Sequence, residues 1–505
     1  MESTTVAARR PGRISTLFRS YGFDALIVTV VAATGGFFLS WIPSYSFDES
    51  VGLAILERSP GQLFDVLKGI DAVHGLYYFA LRTWIALLGS DPMWTRLMSS
   101  LAIGLAAGLT SIIGKLLISR QAGFLAGLLL VAIPRANWAA TEARPYAMSV
   151  LAAAALTLVL IIALRHGKWS WWAAYAALAA FSTTVFIYSV FVVAAHVVVV
   201  LVCYRRLFWR YLVAASTGVA LSSPVIYFAV KQSGQVSWIK PIGPSTMSEI
   251  IKGQWFLDSK PLAVATYALV AVGLSLIVRS YFKHRRDPSF SDNRIQSMLP
   301  ATVFIPWLLI PLIGIIAISL VVSPTYSQRY LTNTTPALAL LLAWAIVSIS
   351  RIAWVRTAMA IFIVVLAVPA YLHTREPYSK DSDYSQTAAW LHGRTKPGEA
   401  VVFARPGYPL SMRVVMYADR DAFVGLDDVM EKSSMIKDNS YWPQEYSFSD
   451  VGNRLSASES VWVVYAPGVP FEQTDIFAAL TKLGYSEGDG FVGKFSAVVN
   501  MSRHY

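Results

Sequence analysis

The chain has 505 residues, of which 55% are hydrophobic and 14% charged, and a net charge of +12. Soluble domains carry about a quarter charged residues, so a soluble fold of this length is excluded for want of polar surface, and a bilayer is the solvent that tolerates the composition. The basic residues are scattered between apolar segments, which argues against nucleic-acid binding, and the single cysteine, Cys203, permits no intrachain disulfide.

In chain order, Arg9, Arg10, Arg13 and Arg19 precede an apolar segment at 22–42, which reads as a retained signal anchor rather than a cleaved peptide. Further segments of spanning character lie at 74–90, 95–117, 121–135, 146–165, 169–186, 188–204, 211–231, 261–281, 299–322, 330–350 and 352–372. Lys and Arg concentrate in cytoplasmic loops of membrane proteins. The basic N-terminus and the clusters Arg165–Lys168, Arg205–Arg210, Lys283–Arg286 and Arg351–Arg356 are therefore expected inside. The 43–73 loop, with Asp48, Glu49, Glu57, Asp65 and Asp71, is expected outside, as is the chain after 372. That arrangement requires an odd number of crossings, and twelve candidates is even. The mismatch falls within 74–135, where Arg82 interrupts the first candidate, and the expected count is about eleven.

After Leu372 the composition turns polar. Ala400–Phe403 and Val461–Tyr465 read as buried strands, and Thr387–Gly393, Leu410–Ala418 and Asp475–Leu483 as helices, with Gly398, Gly407 and Gly468 as punctuation. The expected organisation is a transmembrane region at 1–372 and a small extracytoplasmic α/β domain at 373–505, without internal repeats.

Five clusters could carry chemistry. Asp48 and Glu49 are adjacent carboxylates just past the first span; they suit a general base or a divalent cation, the one cofactor the sequence suggests. The competing reading is a capping box, Ser46-x-x-Glu49, at a helix start. Glu142-Ala143-Arg144-Pro145-Tyr146 sets a guanidinium beside a helix N-terminus, where an anionic headgroup would bind; alternatively Glu142 and Arg144 pair and close the loop. His74, followed by Tyr77 and Tyr78, is either a phosphate or hydroxyl donor or part of an interfacial aromatic belt with Trp84. Arg329, in Ser327-Gln328-Arg329-Tyr330, stands on the side where basic residues are disfavoured, as a phosphate ligand or a snorkelling cation. The loop 232–258 carries Trp238, Lys240, Trp255 and Asp258, as membrane anchors or as a lid. No P-loop, cysteine metal pattern or zinc-protease His pair is present in the sequence.

The ordered set resembles the glycosyltransferase C (GT-C) superfamily, nearest its protein O-mannosyltransferase and aminoarabinose-transferase-like branch. The resemblance rests on Asp48-Glu49 after the first span, His74-x-x-Tyr77-Tyr78, Trp94-Thr95-Arg96-Leu97, Glu142-Ala143-Arg144-Pro145-Tyr146 and Gln328-Arg329-Tyr330-Leu331, across roughly 22–350. Family members often carry His-Pro-Pro where this chain has His74-Gly75-Leu76, and Pro336 stands later than the family pattern sets it. The resemblance implies a GT-C fold of about eleven helices and a polyprenyl-phosphate sugar donor. It implies inverting transfer with Asp48 as base, Glu49 assisting, and Glu142 as a second acid facing the acceptor. Arg329, Arg144 and His74 would bind the donor phosphate, with Tyr77, Tyr146, Tyr330, Trp238 and Trp255 as substrate contacts. Spans rich in Ala, Val and Arg and poor in Lys resemble actinobacterial proteins, which favours mannose, then arabinose, moved to a cell-envelope glycan, lipoglycan or protein. The C-terminal region is a candidate grip for an extended acceptor. The rival readings are a lipid-linked sugar flippase or transporter and a non-catalytic envelope assembly protein.

Overall fold

The computed structural model describes residues 14–284, 294–404, 411–447, 450–455, 458–468 and 470–503. Arg9, Arg10, Arg13, Arg285, Arg286, Gly407, Leu410 and His504 lie outside the described residues.

Six described helices are long and apolar enough to cross a membrane: Pro92–Leu117, Tyr146–His166, Lys260–Lys283, Leu299–Val321, Gln328–Ile349 and Ala353–His373. Two more candidates are bent pairs, Arg120–Ala132 with Pro134–Ala140 at 66° and Arg205–Leu221 with Ser223–Lys231 at 53°. Gly22–Phe37 and Ile187–Cys203 are shorter apolar helices. The first bend follows from Pro134, which cannot donate to the helix ladder and forces Ile133 into extended backbone (φ −71°, ψ 116°). This is a multi-pass membrane protein.

Association of helices in lipid depends on close approach, because lipid tails are as apolar as the side chains. The Pro92–Leu117 helix meets that condition with small residues. A Cβ added at Gly104 would stand 2.6 Å from the Ala33 Cβ of the first helix, and one at Gly114 would stand 2.7 Å from the Gly123 Cα.

The bundle has two chemically distinct ends. At one, Arg120 grips Asp24 through bonds of 2.6 and 2.8 Å, Arg165 Nη2 donates to Leu116 O at 2.6 Å, and Arg356 bonds to Gln121. The basic loops thus gather there. At the other end lies the loop after the first helix. The helix Gly75–Leu88 has both of its ends on this second side: His74 contacts Arg144, Arg82 donates to Leu56 O at 2.6 Å, and the Tyr45 hydroxyl donates to Ser90 O at 2.6 Å. The 74–90 candidate thus has both ends at one end of the bundle, where the Arg82 guanidinium bonds the Leu56 and Arg58 carbonyls.

Beyond His373 a five-stranded sheet forms. Its strands are β1 (Ala400–Phe403), β2 (Asp427–Asp428), β5 (Ser460–Tyr465), β6 (Ser486–Val492) and β7 (Ala497–Ser502), in the order β2-β1-β5-β7-β6. β3 (Glu431–Ser433) and β4 (Gln444–Glu445) make a separate antiparallel pair. β1 runs parallel to β2 and β5, whereas β7 is antiparallel to β5 and β6. The expected strands at 400–403 and 461–465 are both present, the second beginning one residue earlier. The expected helices appear as Tyr384–Leu391, Val414–Ala418 and Asp475–Lys482. β6 escaped the sequence reading because Ser486-Glu487-Gly488-Asp489-Gly490 is polar and exposed, with none of the apolar runs that mark a buried strand.

The sheet region packs on the first loop. Tyr45, Val51 and Ala143 share one apolar cluster with Phe403, Val415 and Trp462. Arg58, fully buried, donates to Met435 O at 2.8 Å and Ser440 O at 2.5 Å. The stretch just after His373 is built into the membrane half: Arg375 Nη2 donates to Gly36 O at 2.9 Å.

Candidate active site

Ser46 caps the helix Phe47–Ile55. Its backbone is extended (φ −68°, ψ 166°), its hydroxyl accepts from Glu49 N–H at 3.3 Å, and Glu49 Oε2 accepts from Ser46 N–H at 2.9 Å. The capping box is thus real, and it fixes the turn that aims Asp48. Acids are favoured in a first helical turn, where free N–H groups point outward. Successive helical residues point about 100° apart, and here the adjacent carboxylates part company. The Asp48 side chain is 36% exposed and the Glu49 side chain 0%.

Asp48 Oδ2 meets Arg329 Nη1 at 2.8 Å. Arg144 approaches from the other side, donating to Asp48 O at 3.4 Å, to the Tyr78 hydroxyl at 3.3 Å and to His74 Nε2 at 3.2 Å. Burial disfavours the charged form of Asp48, but the Arg144 and Arg329 guanidinia outweigh it and hold the carboxyl below its usual value. Among the described residues Arg144 forms no ion pair with a carboxylate, although it is 8% exposed, and its Nε is buried without a partner. Its hydrogen bonds thus go to a carbonyl, a hydroxyl and an imidazole, while the Asp48 and Asp71 carboxylates act on it through charge. Arg329 stacks over Trp238, with 5.0 Å to the ring centroid, and Trp238 is 56% exposed.

Glu49 is occupied differently. It accepts from Arg96 Nε at 3.3 Å, Arg96 Nη2 at 3.2 Å, Ala143 N–H at 2.7 Å and Lys380 Nζ at 2.8 Å. Lys380 also sits 2.8 Å from Glu142 Oε1 and bonds to Thr141 O. Burial opposes ionisation of Glu49, yet Arg96, Lys380 and the Ala143 N–H overcome it and lower the carboxyl to about 2. Burial raises Glu142; Lys380 offsets part of that, the Glu49 charge adds to it, and the carboxyl is pushed up to about 7. Glu142 and Arg144 do not pair with each other; each belongs to a separate cluster.

The remaining expected residues divide as follows. Tyr77 is fully buried with a hydroxyl that has no described partner. Tyr146 is buried against Trp138 (5.1 Å) and Phe186 (6.0 Å), and Tyr330 stacks on Tyr188 at 4.9 Å. Trp255 is 6% exposed, and its Nε1 donates to Thr334 Oγ1 at 2.9 Å, so it packs in the core, unlike the exposed Trp238.

Sequence reasoning gave no role to Arg96, Lys380, Asp71 or Arg135. Arg96 had a usable signal, an ionisable residue near the start of an apolar helix. Lys380 had none: it is an ordinary lysine in a polar stretch, and only the fold inserts it between two acids. Arg135, 5% exposed, donates to Gln254 O at 2.9 Å, Gly253 O at 3.0 Å and Gln328 Oε1 at 3.1 Å, tying the 232–258 loop to the residue before Arg329. Among the described residues no group of three His, Cys, Asp or Glu side chains could hold a metal ion. Asp48 and Glu49 do not converge on one point, since their oxygens serve different cations.

No family model and no curated protein sequence matches the chain. Solved structures do. ArnT from Cupriavidus metallidurans bound to undecaprenyl phosphate is similar at a TM-score of 0.59 and 13% identity, covering 94% of this chain and 97% of that one. The apo state of the same protein gives 0.59 and 12%, covering 95% and 98%. At this identity the likeness establishes the fold alone: a multi-helix membrane architecture like that of ArnT.

Proposed function

We propose that this GT-C-fold protein is an inverting glycosyltransferase that moves a sugar from a polyprenyl-phosphate donor to an envelope glycan, lipoglycan or protein, with Asp48 as general base. The observation that carries the reading is the pairing of a part-exposed carboxylate, Asp48, with two guanidinia, Arg329 and Arg144, of which the second has no carboxylate partner among the described residues. A base and an anion site within reach of one another are what this transfer needs. The ArnT of like fold was crystallised with undecaprenyl phosphate, which supports the donor class.

In the proposed reaction Asp48 takes the proton of an acceptor hydroxyl. The oxygen attacks the anomeric carbon, the bond from that carbon to the phosphate oxygen breaks, and its electron pair leaves with polyprenyl phosphate. Arg329 and Arg144 donate to that phosphate as its charge grows, where fixed donors in a site of low dielectric are most effective. A carboxylate held below its usual value is a weak base. A donor phosphate that draws Arg329 to itself removes part of that restraint as the acceptor arrives. Glu49 and Glu142 belong in this reading to the scaffold: with Lys380 and Arg96 they fix the Asp48 helix against the Arg144 loop.

The loop charges support an extracytoplasmic position in the plasma membrane for this end of the bundle, with a cytoplasmic N-terminus and the sheet region outside. Leaving 74–90 out of the twelve sequence candidates would leave eleven, the odd count that this orientation needs. Mannose is the favoured sugar and arabinose the next. A flippase would place its polar groups near the midplane, whereas Asp48, Arg144 and Arg329 gather at one end. The deciding experiment supplies purified protein with radiolabelled polyprenyl-phosphate mannose and, separately, the arabinose donor, in the presence of envelope glycan. Label entering acceptor in either reaction is expected; transfer from neither overturns the reading.

A further inference from the structure

We infer that Asp71 is a positioning residue of this site: it fixes the tautomer of His74 so that the ring presents a bare Nε2 to Arg144, and so sets the guanidinium that the donor phosphate meets. The inference rests on the transferase reading for its kinetic consequence, but not for its structural content.

The geometry allows one assignment. Asp71 Oδ1 lies 2.6 Å from His74 Nδ1, and Asp71 Oδ2 accepts from the Tyr78 hydroxyl at 2.5 Å. A guanidinium has donors and no acceptor. The 3.2 Å contact between Arg144 Nη2 and His74 Nε2 is therefore a hydrogen bond only if Nε2 carries no proton. Nδ1 then holds the ring's proton and donates it to Asp71, as a carboxylate commonly orients an imidazole through its second nitrogen.

Asp71 is not merely a turn residue. Its backbone is left-handed (φ 60°, ψ 29°), a conformation that aspartate adopts more readily than most residues. Its side chain makes no capping bond to the 72–74 turn, which is closed instead by the backbone bond from His74 N–H to Asp71 O at 2.9 Å. The carboxylate is left for side chains, His74 and Tyr78 among them. Distant parts of the chain hold the position. Gln235 Oε1 accepts from Asp71 N–H at 3.2 Å, and Gln232 Oε1 accepts from Ala72 N–H at 2.9 Å. Tyr441, from the sheet region, lies against the same carboxylate, which raises its phenol after burial has done so. Burial works against ionisation of Asp71, but its charge interaction and hydrogen bond with His74, the charge of Arg144 and the bond from Tyr78 hold the carboxyl well below the usual carboxylate range.

The test is nitrogen-15 spectroscopy of histidine-labelled full-length protein in nanodiscs, with the resonance pair of His74 identified among the 7 histidines by its loss in H74Q. The expected wild-type result is a protonated Nδ1 and an unprotonated Nε2. In D71N that preference should be lost, and kcat with the polyprenyl-phosphate donor should fall about 10²-fold, the scale of a small misplacement of a catalytic group. A protonated Nε2 in wild type, or D71N with wild-type kcat, overturns the inference. The wild-type spectrum decides the tautomer even if D71N fails to fold. If no donor is turned over by wild type, the transferase reading falls, while the spectrum still decides the Asp71–His74 assignment.

Discussion

Asp48 and Arg329 are separated by 281 positions in the chain, yet their side chains meet at 2.8 Å. The pair joins the helix that follows the first span to the short turn that precedes a late one. It sets a part-exposed carboxylate against a guanidinium that also lies over the Trp238 ring.

Asp48→Asn removes the proposed base without altering shape. General bases contribute about 10²–10⁴-fold, so transfer should fall by that factor while the melting temperature in detergent holds. The measurement is a single-turnover transfer assay beside a thermal melt; wild-type-like transfer by the variant would end the assignment of Asp48.

Arg329→Gln acts on the same carboxylate through charge. Arg329 is one of the two guanidinia that lower Asp48, so its removal lets the Asp48 carboxyl rise toward its ordinary value. The acid limb of the kcat/KM profile should then move to higher pH, with a loss of about 10²–10³-fold in kcat from the missing phosphate donor. Titration of initial rates from pH 3 to 7, roughly spanning a carboxylate's range, reads both effects. A profile that keeps its acid limb contradicts the pairing.

Lys380→Met leaves Glu49 and Glu142 buried without their shared cation. Removing one partner of a buried ion pair costs about 3–5 kcal/mol, and denaturant unfolding in mixed micelles should register a loss of that order. Lys380→Arg should recover part of it. A neutral result for Lys380→Met would mean that the three groups are not packed as described.

Glu142 gives the molecule a distinctive pH dependence. Its carboxyl is raised to about 7 from an ordinary 4.5, so the folded state holds this proton more tightly than the unfolded one. Its contribution to stability is therefore complete below pH 4.5 and is lost as pH rises through 7. Glu49, lowered to about 2, acts the other way and loses its contribution only as pH falls from 4.5 toward 2. Melting temperature should thus decline between pH 5 and 7, and Glu142→Gln should flatten that decline. Melts of wild type and variant across this window check it; an unchanged slope in Glu142→Gln would assign the effect elsewhere.

Much of the site was legible residue by residue. Arg144 before Pro145 was readable as a loop guanidinium near a helix start, and it lies within 3.4 Å of the Asp48 carbonyl. Arg329 was singled out by the charge pattern of the loops, and it pairs with Asp48 at 2.8 Å. The division of Asp48 from Glu49 was not, because two neighbours on a helix carry the same local signal, and only the partners packed around the helix decide which one is buried. Lys380 was invisible for the same reason: a lysine becomes part of a site when the fold desolvates it between two acids, and no local pattern encodes that.

The sequence by itself determined the solvent, most of the apolar helices and the capped turn that presents Asp48, because apolar length and local hydrogen bonding are properties of short segments. Tertiary structure alone decided which charges meet. It brought both ends of the 74–90 segment to one end of the bundle, set Arg329 on Asp48, gave Glu49 to Arg96 and Lys380, and left Arg144 with His74 instead of a carboxylate. Those outcomes follow from desolvation and distance between parts of the chain hundreds of residues apart, and such quantities exist only once the bundle and the sheet region have closed around them.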